Sequence, residues 1–199
     1  VWQVFVTPSE SMADDAFDRA LFLARRELEA AAEEIDGAGR FYICSLHRKT
    51  LVYKGLLKGE QLAGYYPDLT DERLKTTLTL VHARFSTNTL GAWHLAHPYR
   101  RIIHNGEINT IRGNINWMRA RENQLAHEDF GDDIETLKPV TEAGQSDTAS
   151  VDNAIELLMH SDRDLTHILR MLIPEAHEND DSMDPDRQDF YDYHASLVE

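Results

Sequence analysis

HARFSTNT at residues 82–89 and HNGEINT at residues 104–110 are the two stretches of sequence that decide the fold. In each case polar residues follow directly after an apolar run, at residues 78–81 before the first stretch and at residues 102–103 before the second. This pattern is typical of a buried strand that delivers polar side chains to a cleft at its end. The two stretches therefore predict a binding site.

The composition is that of a globular domain with a strongly acidic balance. The chain has 199 residues, 42% of them hydrophobic, and a formal net charge of -15 at pH 7. This length and hydrophobic content are sufficient for one domain, or a large piece of one, with a buried core. The negative charge would repel nucleic acid and an anionic membrane, so neither is expected as a partner.

The single cysteine, Cys44, excludes an intramolecular disulfide and a cysteine-rich metal site, which favours a reducing, cytoplasmic location. No apolar stretch approaches the roughly 20 residues that a membrane-spanning helix needs, and there is no basic and apolar leader. The chain opens on a strand-like run at residues 1–6 without Met, so we expect the natural start to lie upstream.

Hydrophobic periodicity and capping signals predict helices interleaved with strands. The predicted helices cover residues 17–35, a segment just after Asn105-Gly106, a segment capped by Ser146 or Asp147, a segment capped by Asp164, and a last segment from Pro185. The predicted strands are residues 1–6, 41–46, 51–56, 77–85 and 102–104. Residues 41–46 and 51–56 are close enough along the chain to pair as a hairpin.

Arg84 is the first candidate binding residue. At the end of a strand its planar guanidinium could hold a carboxylate through two hydrogen bonds. The structural alternative is an internal salt bridge with one of the many acidic residues. The neutral donors and acceptors of residues 86–89 suit a small zwitterionic ligand better than a single structural ion pair.

The Asn105-Gly106 pair is the second candidate, and a simple sharp bend is its structural alternative. The Asn105 amide and the Gly106 backbone N–H could both point at one oxygen that gains charge during acyl transfer. Asp147 is either a helix cap or a carboxylate that holds an ammonium group. Arg84 and Asp147 together would form a pocket for an amino acid.

His82 and His104 each stand at the end of a predicted strand, which raises the question of a zinc site. No third ligand follows at a spacing typical of zinc sites, so we interpret both as histidines packed in the core or at its rim. The sequence has neither a phosphate-binding glycine loop nor a Gly-x-Ser-x-Gly elbow. We therefore expect no metal and no cofactor in this chain.

Taken together, these motifs resemble the glutaminase domain of glutamate synthase large subunits, a class II glutamine amidotransferase domain of the N-terminal nucleophile hydrolase type. The resemblance is carried by HARFSTNT, HNGEINT, GNINWM at residues 113–118 and QSDTA at residues 145–149. It implies an α+β fold, a partial four-layer αββα sandwich of antiparallel sheets covered by helices, with its amino-terminal strands missing. Residues 1–199 would be an internal or C-terminal part of a single such domain.

The activity that the resemblance implies is hydrolysis of L-glutamine to glutamate and ammonia, with transfer of the ammonia to 2-oxoglutarate by a synthase domain. By motif match, Arg84 and Thr87 would bind the α-carboxylate of glutamine and Asp147 its α-amino group. Asn105 and Gly106 would form the oxyanion hole. For the intact enzyme the resemblance implies FMN, an iron-sulfur cluster, a synthase domain in the same polypeptide and a small electron-transfer subunit.

The chain departs from the family pattern in its nucleophile. The family uses a cysteine at the mature amino terminus, whose own α-amino group is the base, and here the first residue is Val1. Cys44 does not match that position, because it lies inside a predicted strand where a thiol usually packs inertly. We therefore expect an inactive fragment that keeps glutamine recognition and the oxyanion hole, and whose exposed strand edges favour self-association.

Two smaller departures concern the loop that lines the pocket, where Ala83 replaces the usual Ser and residues 90–92 replace a Phe-Pro approach to Trp93. Two other functions are compatible with the motifs. One is a non-catalytic glutamine-binding or interaction domain that kept the pocket without the cysteine. The other is the class II amidotransferase domain of a different ammonia-channelling enzyme.

Overall fold

Helices and 3₁₀ turns form the regular structure of the residues that the structure describes. A computed structural model describes residues 3–37, 39–84, 91–106, 108 and 110–198. In these ranges the α-helices are α1 (Asp14–Glu33), α2 (Gly59–Tyr65), α3 (Ile111–Glu122), α4 (Asp147–Met159), α5 (Leu165–Leu172) and α6 (Pro185–Val198). The 3₁₀ segments are Pro67–Thr70, Trp93–Leu95 and Gly131–Leu137. Within the described ranges, no helix has both the length and the apolar character to cross a membrane.

The helix predictions are confirmed, and the capping residues explain several boundaries. The hydroxyl of Ser146 accepts a hydrogen bond from the Ala149 N–H at 3.1 Å at the start of α4. The carboxylate of Asp164 accepts one from the His167 N–H at 2.8 Å at the start of α5. Each bond satisfies a backbone donor that the helix itself leaves free. The helix α3 begins later than predicted, at Ile111 rather than directly after Asn105-Gly106.

The apolar core lies where α1 packs against the last 3₁₀ segment. Its buried members are Phe22 of α1, Phe130, Ile134 and Leu137. A second buried contact joins α4 and α5, where Ile155 and Ile168 are both 0% exposed. Leu157 of α4 packs against the first group, so α4 contacts both regions.

Charged side chains are buried beside this core. Glu156 of α4 accepts one hydrogen bond from Arg25 of α1 at 2.5 Å, and its carboxylate lies 3.0 Å from Nε of Arg100. Arg100 also pairs with Asp152 at 2.9 Å, one turn earlier in α4. Burial alone would raise the pKa of Glu156, but Arg100 and Arg25 outweigh burial and hold its pKa below the ordinary value. These ion pairs connect α1, α4 and the segment that leads into residues 102–104.

The α+β sandwich predicted for this chain is wrong for this structure, since no described residue belongs to a β-strand or a sheet. Residues 3–6, 41–46, 51–56, 77–84 and 102–104 carry no regular secondary structure. Residues 1, 2 and 85 of the predicted strands lie outside the described residues. The four-layer αββα arrangement implied by the resemblance is therefore not present in the described part of the chain.

The physical reason is that apolar alternation does not by itself make a strand. A strand forms only where backbone N–H and C=O groups pair with those of a neighbour. Among the described residues, one backbone bond reaches these segments, from the Tyr99 N–H to the Ile102 carbonyl at 3.2 Å. The run before HARFSTNT, predicted to be buried, is instead exposed, at 71% for Leu78 and 69% for Val81.

Side chains take the place of backbone pairing in the predicted hairpin. The Val52 N–H donates to the hydroxyl of Ser45 at 3.0 Å, and the Lys54 ammonium donates to the hydroxyl of Tyr42 at 3.1 Å. Residues 41–46 and 51–56 therefore lie side by side, but the predicted β-hairpin is wrong, because no ladder of hydrogen bonds joins their backbones.

Replacing Glu156 by Gln is expected to lower the free energy of unfolding by about 3 kcal/mol, the low end of the cost of breaking a buried ion pair, because Arg25 and Arg100 would lose the carboxylate they share and keep only Glu29 and Asp152. Urea denaturation followed by circular dichroism measures this loss. The matched control is Glu135→Gln, which breaks the surface pair with Lys138, where Glu135 is 71% exposed. We expect the control to cost less than about 1 kcal/mol. Equal losses in the two variants would contradict the importance of the buried ion pairs.

Candidate functional site

The candidate site is built around the first turn of α4. Ser146 occupies the N-cap position, so Asp147 is the first residue of the helix and its carboxylate is not the cap. The hydroxyl of Ser146 also shares a hydrogen bond of 2.7 Å with the hydroxyl of Tyr99, which is 2% exposed. The start of α4 is therefore anchored to the segment that precedes HNGEINT.

The carboxylate of Asp147 is held by three hydrogen bonds. One oxygen accepts from the Ile108 N–H at 2.8 Å, and the other accepts from the N–H and the hydroxyl of Thr148 at 2.6 and 3.1 Å. Burial alone would raise the pKa of Asp147, but these bonds outweigh burial and hold its pKa below the ordinary value. Asp147 is therefore ionised at neutral pH, and its side chain is still 25% exposed, which leaves it accessible to a ligand.

His104 joins the two predicted motifs. Its Nε2 forms a short hydrogen bond with the hydroxyl of Thr148 and lies 3.9 Å from the carboxylate of Asp147. Its Nδ1 accepts a hydrogen bond from the Gly106 N–H at 3.1 Å. HNGEINT and QSDTA thus meet through one imidazole ring, and the Gly106 donor is directed at that ring.

Three histidine rings form a row that extends from this junction toward HARFSTNT. The centroids of His82 and His97 are 4.6 Å apart, and those of His97 and His104 are 5.5 Å apart. Burial, together with the neighbouring His82 and His104, lowers the pKa of His97 to about 4. The middle ring is therefore neutral at neutral pH. The first residues of the two motifs, His82 and His104, both pack against this ring.

The structure brings some of the predicted site residues together and leaves others apart. Asp147 and the Asn105-Gly106 turn are brought together through His104, and both turn residues are exposed. Arg84 is exposed two residues beyond His82, and within the described ranges no hydrogen bond or ion pair links it to Asp147. Thr87 lies outside the described residues.

Thr148, Tyr99 and His97 also contribute to this region, although no role was predicted for them from the sequence. Thr148 had a usable signal, because a hydroxyl residue in the first turn of a helix regularly bonds to neighbouring polar groups. Tyr99 and His97 lie in a segment without hydrophobic periodicity, so no pattern distinguished them from other loop residues. Their contacts come from the packing of α4 against that segment.

The residues of this chain do not fit the iron-sulfur cluster that the resemblance implies for the intact enzyme. Iron-sulfur clusters are held by several cysteine thiolates, and this sequence has only Cys44. Burial raises the pKa of the Cys44 thiol, which disfavours the thiolate that a ligand or nucleophile requires. Among the described residues, no group of three or more His, Cys, Asp or Glu side chains is arranged to hold a metal ion.

A model of the family described as "Glutamine amidotransferases class-II" matches residues 1–199. The chain therefore belongs to the class II glutamine amidotransferases.

Its relatives include proteins named glutamate synthase. It is 45% identical over 202 residues to the "Glutamate synthase [NADPH] large chain" of Bacillus subtilis, covering 100% of this chain and 13% of that protein. It is 45% identical over 184 residues to the "Glutamate synthase [NADH]" of Saccharomyces cerevisiae, covering 92% of this chain and 8% of that protein. A "Ferredoxin-dependent glutamate synthase, chloroplastic" of Spinacia oleracea is 39% identical over 202 residues, covering 100% of this chain and 12% of that protein. The chain thus spans only a small part of each relative's length.

The partly buried histidine row predicts a specific loss of stability in acid. Between about pH 6.5 and pH 4 the unfolded chain binds a proton at His97 that the folded chain does not bind, so stability falls as the pH falls. The variant His97→Gln lacks this titration, so its urea midpoint should decrease less between about pH 7.5 and pH 4.5. His47, whose pKa burial also lowers to about 4, is present in both proteins and cancels in the comparison. Identical pH dependence of the two midpoints would contradict the lowered pKa of the partly buried His97.

Proposed function

We propose that this chain is the glutamine-recognising part of a glutamate synthase glutaminase domain, and that the intact protein hydrolyses L-glutamine to glutamate and ammonia. The ammonia is transferred to 2-oxoglutarate by a synthase domain of the same polypeptide. Family membership over residues 1–199 and similarity to proteins named glutamate synthase support this proposal. The single structural observation that carries it is the junction of HNGEINT and QSDTA around the ionised carboxylate of Asp147.

Asp147 is proposed to bind the α-ammonium group of glutamine. Its negative charge is fixed in place by Ile108 and Thr148, and its side chain remains partly exposed. A fixed carboxylate binds an ammonium group without first having to be ordered. Arg84 and Thr87 are proposed to bind the α-carboxylate, because a guanidinium fork matches the two carboxylate oxygens.

Asn105 and Gly106 are proposed to form the oxyanion hole. They form an exposed turn in which the Gly106 N–H donates a hydrogen bond to His104. His104 in turn lies 3.9 Å from the carboxylate of Asp147, the proposed ammonium-binding group. An oxygen that gains charge when the amide of glutamine is attacked needs ordered donors, and the Gly106 N–H would exchange its bond to His104 for one to that oxygen.

Cys44 is not the proposed nucleophile. Its thiol is partly buried, and burial raises its pKa, whereas an attacking cysteine needs a lowered pKa or an adjacent base. We therefore propose that this chain alone does not hydrolyse glutamine. FMN, the iron-sulfur cluster and a small electron-transfer subunit are proposed for the rest of the intact enzyme, which we place in the cytoplasm.

The variant Asn105→Ala, made in the intact protein, is expected to lower kcat for glutamine hydrolysis by about 10² to 10³-fold, because one oxyanion donor is lost. Glutamine binding should hardly change, since this donor acts mainly on the transition state. Ammonia release measured over a range of glutamine concentrations separates the two effects. Asn123→Ala at the exposed C-terminal end of α3 is the matched control and should retain full activity. Equal losses in kcat and in binding would remove Asn105 from the oxyanion hole.

The variant Arg84→Lys, also in the intact protein, is expected to raise KM for glutamine by about tenfold or more, because an ammonium group cannot make the two-pronged contact with a carboxylate. The change in kcat should be smaller than the change in KM. Arg73→Lys is the matched control, since Arg73 is 91% exposed and pairs only with the nearby Asp71 in the described structure. An unaltered KM in Arg84→Lys would show that the guanidinium does not contact glutamine.

A further inference from the structure

One continuous path of hydrogen bonds runs from the Asn105-Gly106 turn to the first turn of α4. The Gly106 N–H bonds to Nδ1 of His104, and Nε2 of His104 bonds to the hydroxyl of Thr148. The hydroxyl of Thr148 in turn donates to the carboxylate of Asp147 at 3.1 Å. The path therefore joins a proposed oxyanion donor to the proposed ammonium-binding carboxylate.

The chemistry of the four groups fixes the direction of every bond in this path. A backbone N–H can only donate, so Nδ1 of His104 must be the acceptor nitrogen of the ring. In the neutral imidazole the proton is then on Nε2, which donates to the oxygen of Thr148. The Thr148 hydroxyl has its own proton left to donate to the ionised Asp147, which can only accept. Protonation of Nδ1 would break the first bond, so only one neutral tautomer of His104 satisfies the whole path.

We propose that His104 is a positioning residue for glutamine hydrolysis, which holds the Gly106 N–H in place and is itself oriented by Thr148 and Asp147. This inference rests on the proposed function, because it assigns His104 a part in the same site. His104 does not touch the substrate in this proposal. It sets where the Asn105-Gly106 turn lies relative to the carboxylate that binds the ammonium group.

The surroundings of the path restrict its movement. Thr148 is 1% exposed, so its hydroxyl cannot exchange its partners for bulk water. The ring of His97 packs edge-on against the ring of His104, with an angle of 81° between the two planes, and limits its rotation. The imidazole is thus fixed by two hydrogen bonds and one ring contact.

The bond between Gly106 and His104 is also suited to exchange during the reaction. A neutral ring nitrogen is a weaker acceptor than an oxygen with a developing negative charge. In the absence of such an oxygen, His104 keeps the N–H ordered, and the donor transfers to the oxyanion when charge develops. The Asn105-Gly106 turn is therefore already ordered before the reaction begins.

The test uses two variants of the intact protein that break the path at different bonds. His104→Phe keeps an aromatic ring beside His97 but removes both ring nitrogens, so kcat for glutamine hydrolysis should fall about five- to tenfold. KM should stay within about twofold, because Asp147 keeps its bonds to Ile108 and Thr148. Thr148→Val removes the hydroxyl that serves both His104 and Asp147, so kcat should fall and KM should rise together.

Two further variants separate positioning from general stability. Thr148→Ser keeps the hydroxyl and is expected to recover most of the loss in both constants. Thr166→Val makes the same change as Thr148→Val at an exposed position of α5 and should leave both constants unchanged. If Thr148→Val does not fold, the different effects of His104→Phe on kcat and on KM still decide the question.

The outcomes distinguish this inference from the function on which it rests. An unchanged kcat in His104→Phe, while Asn105→Ala loses activity, would overturn the role of His104 and leave the proposed function standing. Equal losses in Thr148→Ser and Thr148→Val would likewise overturn the path, because the hydroxyl would then have no special part. If the unsubstituted intact protein released no ammonia from glutamine, the proposed function itself would be wrong.

Discussion

The carboxylate of Glu156 lies between the guanidinium groups of Arg25 and Arg100, and the rest of the structure depends on this buried contact. A buried charge is tolerated only when opposite charges and hydrogen bonds surround it, so the three side chains can adopt few arrangements. Arg25 belongs to α1 and Glu156 to α4, while Arg100 leads into residues 102–104. The Arg101 N–H adds a bond of 2.7 Å to Asp152 of α4. One group of charges thus sets the position of α4 relative to both HNGEINT and the core.

The helices could be predicted from sequence because their determinants are local. The cap of Asp164 and the apolar stripe of α1 lie within a few residues of the helices they define. A strand forms only when a second segment, distant in sequence, pairs with its backbone. Between residues 41–46 and 51–56 the hydrogen bonds are made by side chains, such as those of Ser45 and Lys54, instead of by paired backbones. For this reason local sequence patterns correctly predicted α1, α4 and α5 but wrongly predicted a sheet, which the described structure does not have.

In the candidate site, too, the motifs could be recognised in the sequence, whereas the contacts between them could not. The sequence indicated that HNGEINT and QSDTA carry the functional groups, and the structure places these two stretches against each other. It could not indicate that His104 and Thr148 form the connection, because the orientation of a ring follows from packing between distant segments. The choice between Ser146 and Asp147 as the cap was also open in the sequence. The hydrogen bond from Ala149 to the Ser146 hydroxyl explains why the Asp147 carboxylate has other partners.

The apolar side chains that stand outside the core have a consequence for how this chain behaves at high concentration. Val4, Phe5, Leu78 and Val81 are each more than half exposed, in segments whose backbone groups carry no regular pairing. Contact between such segments of two copies is opposed by the net charge of -15 on each copy. At 0.1 M salt this repulsion is largely screened beyond about 10 Å, while the apolar attraction stays in place. We therefore expect added salt to favour contact between copies of this chain.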